Sequence, residues 1–244
     1  MPRTAIASHR GGALLWPENS LTAFRHALAL PAEQLELDVH LSADGHPVVL
    51  HDATLDRTTD AFGPVRSRTL AELRQVRLRG TGGEAVPMLA EAVALVRNAG
   101  RVLRLEIKAD AFGQPYPGIV PCCLAVLDAA GMRASTVLMG FEPLTVAEAA
   151  AAGGFDQVVL LLSARSWRGM GVAGAVALAR ASGADEIGLP IGELDAPAVT
   201  ALRQAGLAVS AWGANHAASI SLALALELDA MASDDPVLAL RLRG

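Results

Sequence analysis

Lysine is nearly missing from this 244-residue chain. Of its 20 Lys plus Arg residues only Lys108 is a lysine, so positive charge elsewhere is carried by arginine. Cysteine is confined to the neighbours Cys122 and Cys123, which cannot build a disulfide framework and read as small helix-packing residues. No stretch approaches the roughly 20 unbroken apolar residues of a membrane span. The first ten residues, MPRTAIASHR, contain no apolar segment of roughly 7–15 residues, as a signal peptide would. A basic run is absent too, and the formal net charge is −5, which argues against a nucleic-acid surface. These absences together set three expectations: a reducing, cytoplasmic setting, no stable membrane association and no nucleic-acid partner.

Apolar residues, by contrast, make up 52% of the chain, enough for one large core. Extended and helical signals alternate along it. Strands are expected at Thr4–Ser8, Leu35–Leu41, Val102–Lys108, Thr136–Gly140, Gln157–Leu162, Glu186–Leu189, Ala208–Trp212 and Ala230–Ala232, each followed by a helical segment. Asn19 or Ser20 can cap the first helix, and Thr69-Leu-Ala-Glu-Leu reads as a capped helical turn. Ser163–Gly171 reads as a loop ahead of a helix at Val172–Ser182. Eight strand–helix units in about 250 residues give a parallel sheet closed as a TIM (β/α)8 barrel, in a single domain spanning 1–244. An open doubly wound sheet needs a glycine-rich phosphate loop after its first strand. His9-Arg10-Gly11-Gly12 lacks that spacing.

The densest chemistry lies in the stretch LELDVHLSADGHPVVLHDATLDRTT, from Leu35 to Thr59. Leu35, Leu37 and Val39 alternate with Glu36, Asp38 and His40, so the two acids share one face of a strand. Side by side they repel unless something positive lies between them. Asp44-Gly45 is a tight-turn signal, after which Pro47–Leu50 returns the chain and delivers His51-Asp52 near the first strand's end. Val102–Lys108 repeats the pattern, with Arg104, Glu106 and Lys108 on one face. Barrel active sites form at the C-terminal ends of strands, and His9, Arg10, Trp212, Asn215 and Asp234 also fall there. Three carboxylates suit Mg²⁺ or Ca²⁺ better than zinc; the alternative is buried ion pairing with Arg10 or Lys108. A cation beside Arg10 and Lys108 calls for an anionic substrate such as a phosphate ester, with two histidines available for acid–base chemistry. His40 shares the parity of Asp38, but so near the strand end it is expected to meet solvent; His26, His46 and His216 read as surface residues. Trp16 is left open between a lid and a loop anchor.

Taken together, HRG at 9–11, PEN at 17–19, ELDV at 36–39, DG at 44–45, HD at 51–52, RTT at 57–59, LEIK at 105–108, Trp212 with Asn215, and SDDP at 233–236 resemble the glycerophosphodiester phosphodiesterases. The resemblance runs through nearly the whole chain and implies a TIM barrel with a small insertion, here 53–84. It implies Glu36, Asp38 and Glu106 as ligands of a divalent metal ion, His9 and His51 as the acid–base pair, and Arg10 and Lys108 as phosphate contacts. Asn19 is placed near the phosphate by the same resemblance, and Phe141 and Trp212 on the glycerol side. The implied reaction is hydrolysis of a small-molecule glycerophosphodiester to sn-glycerol 3-phosphate and an alcohol. A lysophospholipase D-like activity on the same core and a non-catalytic phosphodiester-binding barrel are the rival readings. Exposed apolar residues on the helices would permit a homodimer.

Overall fold

The computed structural model describes residues 3–244. Its strands are β1 (Ala5–Ser8), β2 (Gln34–Leu41), β3 (Pro47–Val49), β4 (Val102–Ile107), β5 (Thr136–Gly140), β6 (Gln157–Leu161), β7 (Glu186–Pro190), β8 (Ala208–Trp212) and β9 (Ala230–Ser233). Eight of them pair in parallel in the order β1-β9-β8-β7-β6-β5-β4-β2, and β2 returns to β1, closing a barrel as the strand–helix rhythm requires. The ninth, β3, runs antiparallel to β2 with Val39 opposite Val49, which is the hairpin signalled by Asp44-Gly45.

Helices α1 (Leu21–Leu28), α2 (Leu70–Leu73), α3 (Leu89–Ala99), α4 (Ile119–Ala129), α5 (Pro143–Ala152), α6 (Ala164–Ser182), α7 (Ala196–Gln204), α8 (Ala217–Ala225) and α9 (Pro236–Arg243) complete the chain. All but α2 wrap the outside of the barrel in the usual way, one after each strand unit. Local sequence sets their starts. Ser20 accepts from the Ala23 amide at the head of α1, and Thr69 with Glu72 forms a capping box on α2. The expected loop at Ser163–Gly171 is instead helical. Ser163 caps α6 by accepting from the Ser166 amide, and Trp167 is buried against the core. Gly171, at φ +60° and ψ −171°, is not helical and divides α6 into two segments, the second covering the expected helix at Val172–Ser182.

Strand parity divides the core. Leu35, Leu37, Val39, Leu103, Leu105 and Ile107 point outward into the large apolar layer beneath the helices. Inside the barrel, Val137, Met139, Val159 and Leu161 make an apolar lining on the β5–β6 side. The β1–β2–β4 side of the interior is polar, and Arg104 reaches across from it to pair with the fully buried Glu186 on β7. Segment 53–84 is polar and arginine-rich in sequence, yet Leu55, Val65, Leu73, Val76 and Leu78 cluster with Val48 and Leu50, giving it a small apolar base seated on β3. Among the described residues no helix is long and apolar enough to cross a membrane.

Candidate active site

The ladder between β2 and β4 places Glu36 beside Arg104 and Asp38 beside Glu106. Residues paired across neighbouring strands share a face, so the three carboxylates meet inside the barrel near the C-terminal ends of their strands. One oxygen from each of Glu36, Asp38 and Glu106 lies within 4.8 Å of the others. Glu36 and Asp38 are fully buried and Glu106 nearly so.

The loop after β1 folds over this cluster. Arg10 adopts φ +51°, an uncommon conformation for a residue other than glycine, and its amide donates to Glu36 Oε2 at 2.7 Å. Gly11 follows at φ +82°, where a Cβ would stand 2.9 Å from Phe24 and from Ala23, so the turn has room only for glycine. Asn19 is buried and donates from Nδ2 to Asp38 Oδ2 at 2.8 Å. Its Oδ1 accepts from the Asp38 amide at 3.3 Å, so its side chain is directed at the metal-ligand candidate Asp38. Trp16 stacks on the His26 ring, 5.1 Å between centroids, which anchors the loop.

Two cations face the three acids. Lys108 Nζ donates to Glu106 Oε1 at 2.6 Å and lies 3.2 Å from Asp38 Oδ1, off the hydrogen-bonding direction. Arg10 Nε stands 3.5 Å from Asp38 Oδ2, and its Nη1 donates to Glu18 at 3.1 Å. Ion pairing thus serves Asp38 and Glu106 but leaves Glu36 short. Burial, with Asp38 close by, pushes the Glu36 carboxyl up to about 8, and burial also raises Glu106. Burial acts on Asp38 the same way, but Lys108, His51 and Arg10 outweigh it and hold Asp38 below the usual range. Glu36 Oε1 and Asp38 Oδ1 are buried without any hydrogen-bond partner. Orphaned, buried carboxylate oxygens converging on one point are what a hard divalent cation would satisfy, so the residues present fit a metal ion.

His9 and His51 are each held by a carboxylate. His9 Nδ1 bonds Asp234 Oδ1, and Asn215 fixes Asp234 through two further bonds. His51 Nδ1 bonds Asp52 Oδ1 at 2.7 Å. An ionised carboxylate only accepts, so Nδ1 carries the proton in both rings and Nε2 is the nitrogen left for chemistry. His9 Nε2 stands 3.9 Å from Glu36 Oε2. The two rings differ electrostatically. Burial would lower His9, but Glu36 and Asp234 overcome it and raise the ring to about 9. Burial, with Lys108 and Arg10 nearby, lowers His51.

One guanidinium braces both halves of the site. Arg57, from the insertion, donates to both oxygens of Asp52 at 2.7 and 2.9 Å and to both oxygens of Glu18 at 2.7 and 2.8 Å. Asp52 holds His51 and Glu18 holds Arg10, so Arg57 ties these groups together.

Between the carboxylates and the apolar lining lies a cavity of about 200 Å³, edged by His9, His51, Lys108, Phe141 and Trp212. Phe141 meets Trp212 edge to face with centroids 6.2 Å apart, and Trp212 Nε1 is a buried donor with no partner. Of the residues to which the family resemblance gives a role, all but Asn19 either line this cavity or, like Asp38, sit in the carboxylate cluster beside it. Sequence reasoning gave no role to Asp234, Asp52, Glu18 or Arg57, although Asp234 was placed on the rim and the other three stand in the HD, PEN and RTT motifs. His40 is also corrected. It is only 1% exposed, because β3 folds back over the end of β2 and Tyr116 covers the ring.

Comparison with known proteins agrees with this geometry. A family model described as the glycerophosphoryl diester phosphodiesterase family matches residues 9–238. A glycerophosphodiester phosphodiesterase from Caldanaerobacter subterraneus is 38% identical over 122 residues, 48% of this chain; the chain spans about half (49%) of that relative's length. A crystal structure from Agrobacterium tumefaciens, assigned as a glycerophosphoryl diester phosphodiesterase, superposes with a TM-score of 0.95 at 33% identity, covering 99% of this chain and 98% of that one. An Oleispira antarctica phosphodiesterase, solved in complex with the product sn-glycerol-3-phosphate, superposes at 0.82 with 26% identity, covering 99% and 96%. A family match across nearly the whole barrel, including every strand end that builds the site, means that this chain belongs to the glycerophosphoryl diester phosphodiesterase family.

Proposed function

We propose that the protein hydrolyses glycerophosphodiesters to sn-glycerol 3-phosphate and an alcohol, with a divalent metal ion held by Glu36, Asp38 and Glu106. The observation that carries this reading is the meeting, at one cavity, of three buried carboxylates with two histidines whose Nδ1 atoms are both fixed by acids. The product named in the Oleispira complex supports the same substrate class.

When bound, Mg²⁺ or Ca²⁺ would supply Lewis acidity toward a phosphoryl oxygen and an attacking hydroxyl. Arg10 and Lys108 stabilise charge on the phosphoryl oxygens. Of His9 and His51, one accepts the proton of the attacking oxygen at Nε2 and the other protonates the departing alkoxide. Asp234 and Asp52 keep each ring in the tautomer that presents Nε2. Phe141 and Trp212 pack on the glycerol carbons, and Asn19 orients Asp38. A cyclic phosphate trapped by rapid quench would identify the glycerol 2-hydroxyl as nucleophile; its absence would identify water. Arg10 and Lys108 suit a small anionic substrate, which the protein would meet in the cytoplasm.

The deciding experiment is enzymatic detection of glycerol 3-phosphate released from glycerophosphocholine, -ethanolamine, -inositol and -glycerol. Release from none of them, by folded and metal-loaded protein, overturns the reading. Two variants refine it. Trp212→Ala removes an apolar wall and is expected to raise KM about tenfold while leaving the hydrolytic groups in place; an unchanged KM takes Trp212 out of substrate binding. Arg57→Lys keeps the charge but cannot make both forked contacts, so kcat/KM should fall about tenfold. Wild-type kinetics in Arg57→Lys would show that the brace does not set His51 or Arg10.

A second reading has one observation behind it. Phe62, Phe112 and Leu144 are exposed to 67%, 84% and 78% on segments that follow β3, β4 and β5, at the active-site end of the barrel. Exposed apolar side chains at that end would suit a phosphodiester that carries an acyl chain. Comparing choline release from monomeric lysophosphatidylcholine with that from glycerophosphocholine separates the two substrates.

A further inference from the structure

His40 is a buried histidine that the proposed chemistry leaves unused, and both of its nitrogens are engaged. Nε2 lies 3.0 Å from the backbone carbonyl of His51, and Nδ1 lies 2.9 Å from the hydroxyl of Tyr116, the only tyrosine in the chain. A carbonyl only accepts, so Nε2 must carry a proton and donate to it. In the neutral ring Nδ1 is then the acceptor, and Tyr116 donates. The bonds run in one direction: Tyr116 hydroxyl to His40 Nδ1, then His40 Nε2–H to the His51 carbonyl.

The position of that carbonyl gives the chain of bonds its meaning. Strand β3 ends at Val49, and its ladder with β2 stops at the Val39–Val49 pair. The last sheet-like anchor before His51 is the Leu50 amide, which donates to the Asp38 carbonyl at 3.1 Å. Among the described residues no backbone amide reaches the His51 carbonyl, and His40 is its partner. A residue just past a strand end, with no ladder bond of its own, has freedom that a hydrolytic group needs removed. Tyr116 is held in turn. It is 3% exposed, its ring lies 5.4 Å beneath the Arg66 guanidinium, and Arg66 donates to Asp110 at 3.1 Å. The insertion and the segment after β4 thus both bear on the relay.

We propose that Tyr116 and His40 are positioning residues that fix the backbone of His51 and thereby aim its Nε2 into the cavity. This inference deepens the function proposed above and rests on His51 having a role in the reaction. Neither residue touches the carboxylate cluster's free oxygens, and neither need contact substrate.

The test compares His40→Leu, His40→Gln and Tyr116→Phe with the wild-type protein. Glycerophosphocholine turnover, Mg²⁺ affinity by calorimetry and the ¹⁵N resonances of the His51 ring are measured for each. A glutamine amide nitrogen reaches about as far as Nε2, so it can restore the donor to the His51 carbonyl. The expected result is a loss of about 10- to 100-fold in kcat for His40→Leu, with KM and Mg²⁺ affinity unchanged and most of the loss recovered in His40→Gln. Tyr116→Phe, which leaves the donor but frees the tautomer, is expected to lose about 3- to 10-fold in kcat. The His51 resonances should move in His40→Leu and Tyr116→Phe and return toward wild type in His40→Gln.

Wild-type kcat and unmoved His51 resonances in His40→Leu overturn the inference, as does a His40→Gln variant no better than His40→Leu. Should His40→Leu fail to fold, Tyr116→Phe decides: unaltered kcat and His51 resonances overturn the proposal. If the wild-type protein cleaves no diester, the functional reading falls, and the His51 resonances still show whether His40 positions that ring.

Discussion

His51→Ala is expected to bind Mg²⁺ as tightly as the wild-type protein and to release glycerol 3-phosphate about 10²–10⁴-fold more slowly. His51 sits past the end of β3, held by Asp52 at Nδ1, and contributes no ligand to the Glu36–Asp38–Glu106 cluster. Removing the ring should therefore spare the metal and lower kcat, with little change in KM. His9→Ala should show the same loss in rate. The double variant should be little worse than either single one, because acid and base act in one event and their effects do not add. Asp52→Asn is a sharper probe of His51. An amide at that position can donate to Nδ1, which moves the ring proton to Nε2 and presents the wrong tautomer to the cavity, while the shape of the site is kept. A fully active His51→Ala protein would remove this histidine from the reaction and leave the metal cluster as the working part of the site.

How this site could be anticipated from sequence, and where it could not, follows from which contacts are local. The two-residue period of β2 and β4 puts Glu36, Asp38, Glu106 and Lys108 on one face, and a barrel turns one face into one cavity. The capping signals at Ser20 and Thr69 are complete within four residues, so they were readable as well. The pairing of His9 with Asp234 joins positions 225 residues apart, and nothing in the local pattern of either encodes it. Parity pointed His40 inward, but its burial depends on β3 folding back and on Tyr116 arriving from 76 residues away. Ser163–Gly171 reads as a loop ahead of a helix at Val172, whereas the Ser163 cap and the buried Trp167 hold the first turns of α6 as helix. Tertiary packing overrides propensity there, as it commonly does. The insertion reads as polar because its few apolar residues are scattered. Only folding gathers Leu55, Val65, Leu73 and Val76 over β3 and so carries Arg57 to its place between Asp52 and Glu18.

Chelation by EDTA is expected to lower glycerol 3-phosphate release by about 10³-fold, since a metal ion at a phosphoryl centre contributes several kcal/mol of charge stabilisation. Restoring the ion should then show a marked dependence on pH, and its direction follows from Glu36. Burial, with Asp38 close by, pushes this carboxyl up to about 8 in the absence of a metal, which favours its protonated form at neutral pH. A divalent cation binds the ionised form, and each ion taken up must displace that proton. Affinity should therefore climb as pH rises toward about 8 and level off above it, with burial-raised Glu106 adding to the rise. Calorimetry at pH 6.5 in buffers of different ionisation enthalpy should detect proton release on binding of Mg²⁺ or Ca²⁺. Asp38 adds nothing to this slope, because Lys108 and Arg10 already keep it ionised. Glu36→Gln separates the two contributions. The amide carries no titrating proton, so the pH dependence of binding should flatten, while the loss of one anionic ligand weakens affinity at every pH. An affinity that is the same at pH 6 and pH 8 in the wild-type protein would mean that His9, lying 3.9 Å away, keeps Glu36 ionised before the metal arrives.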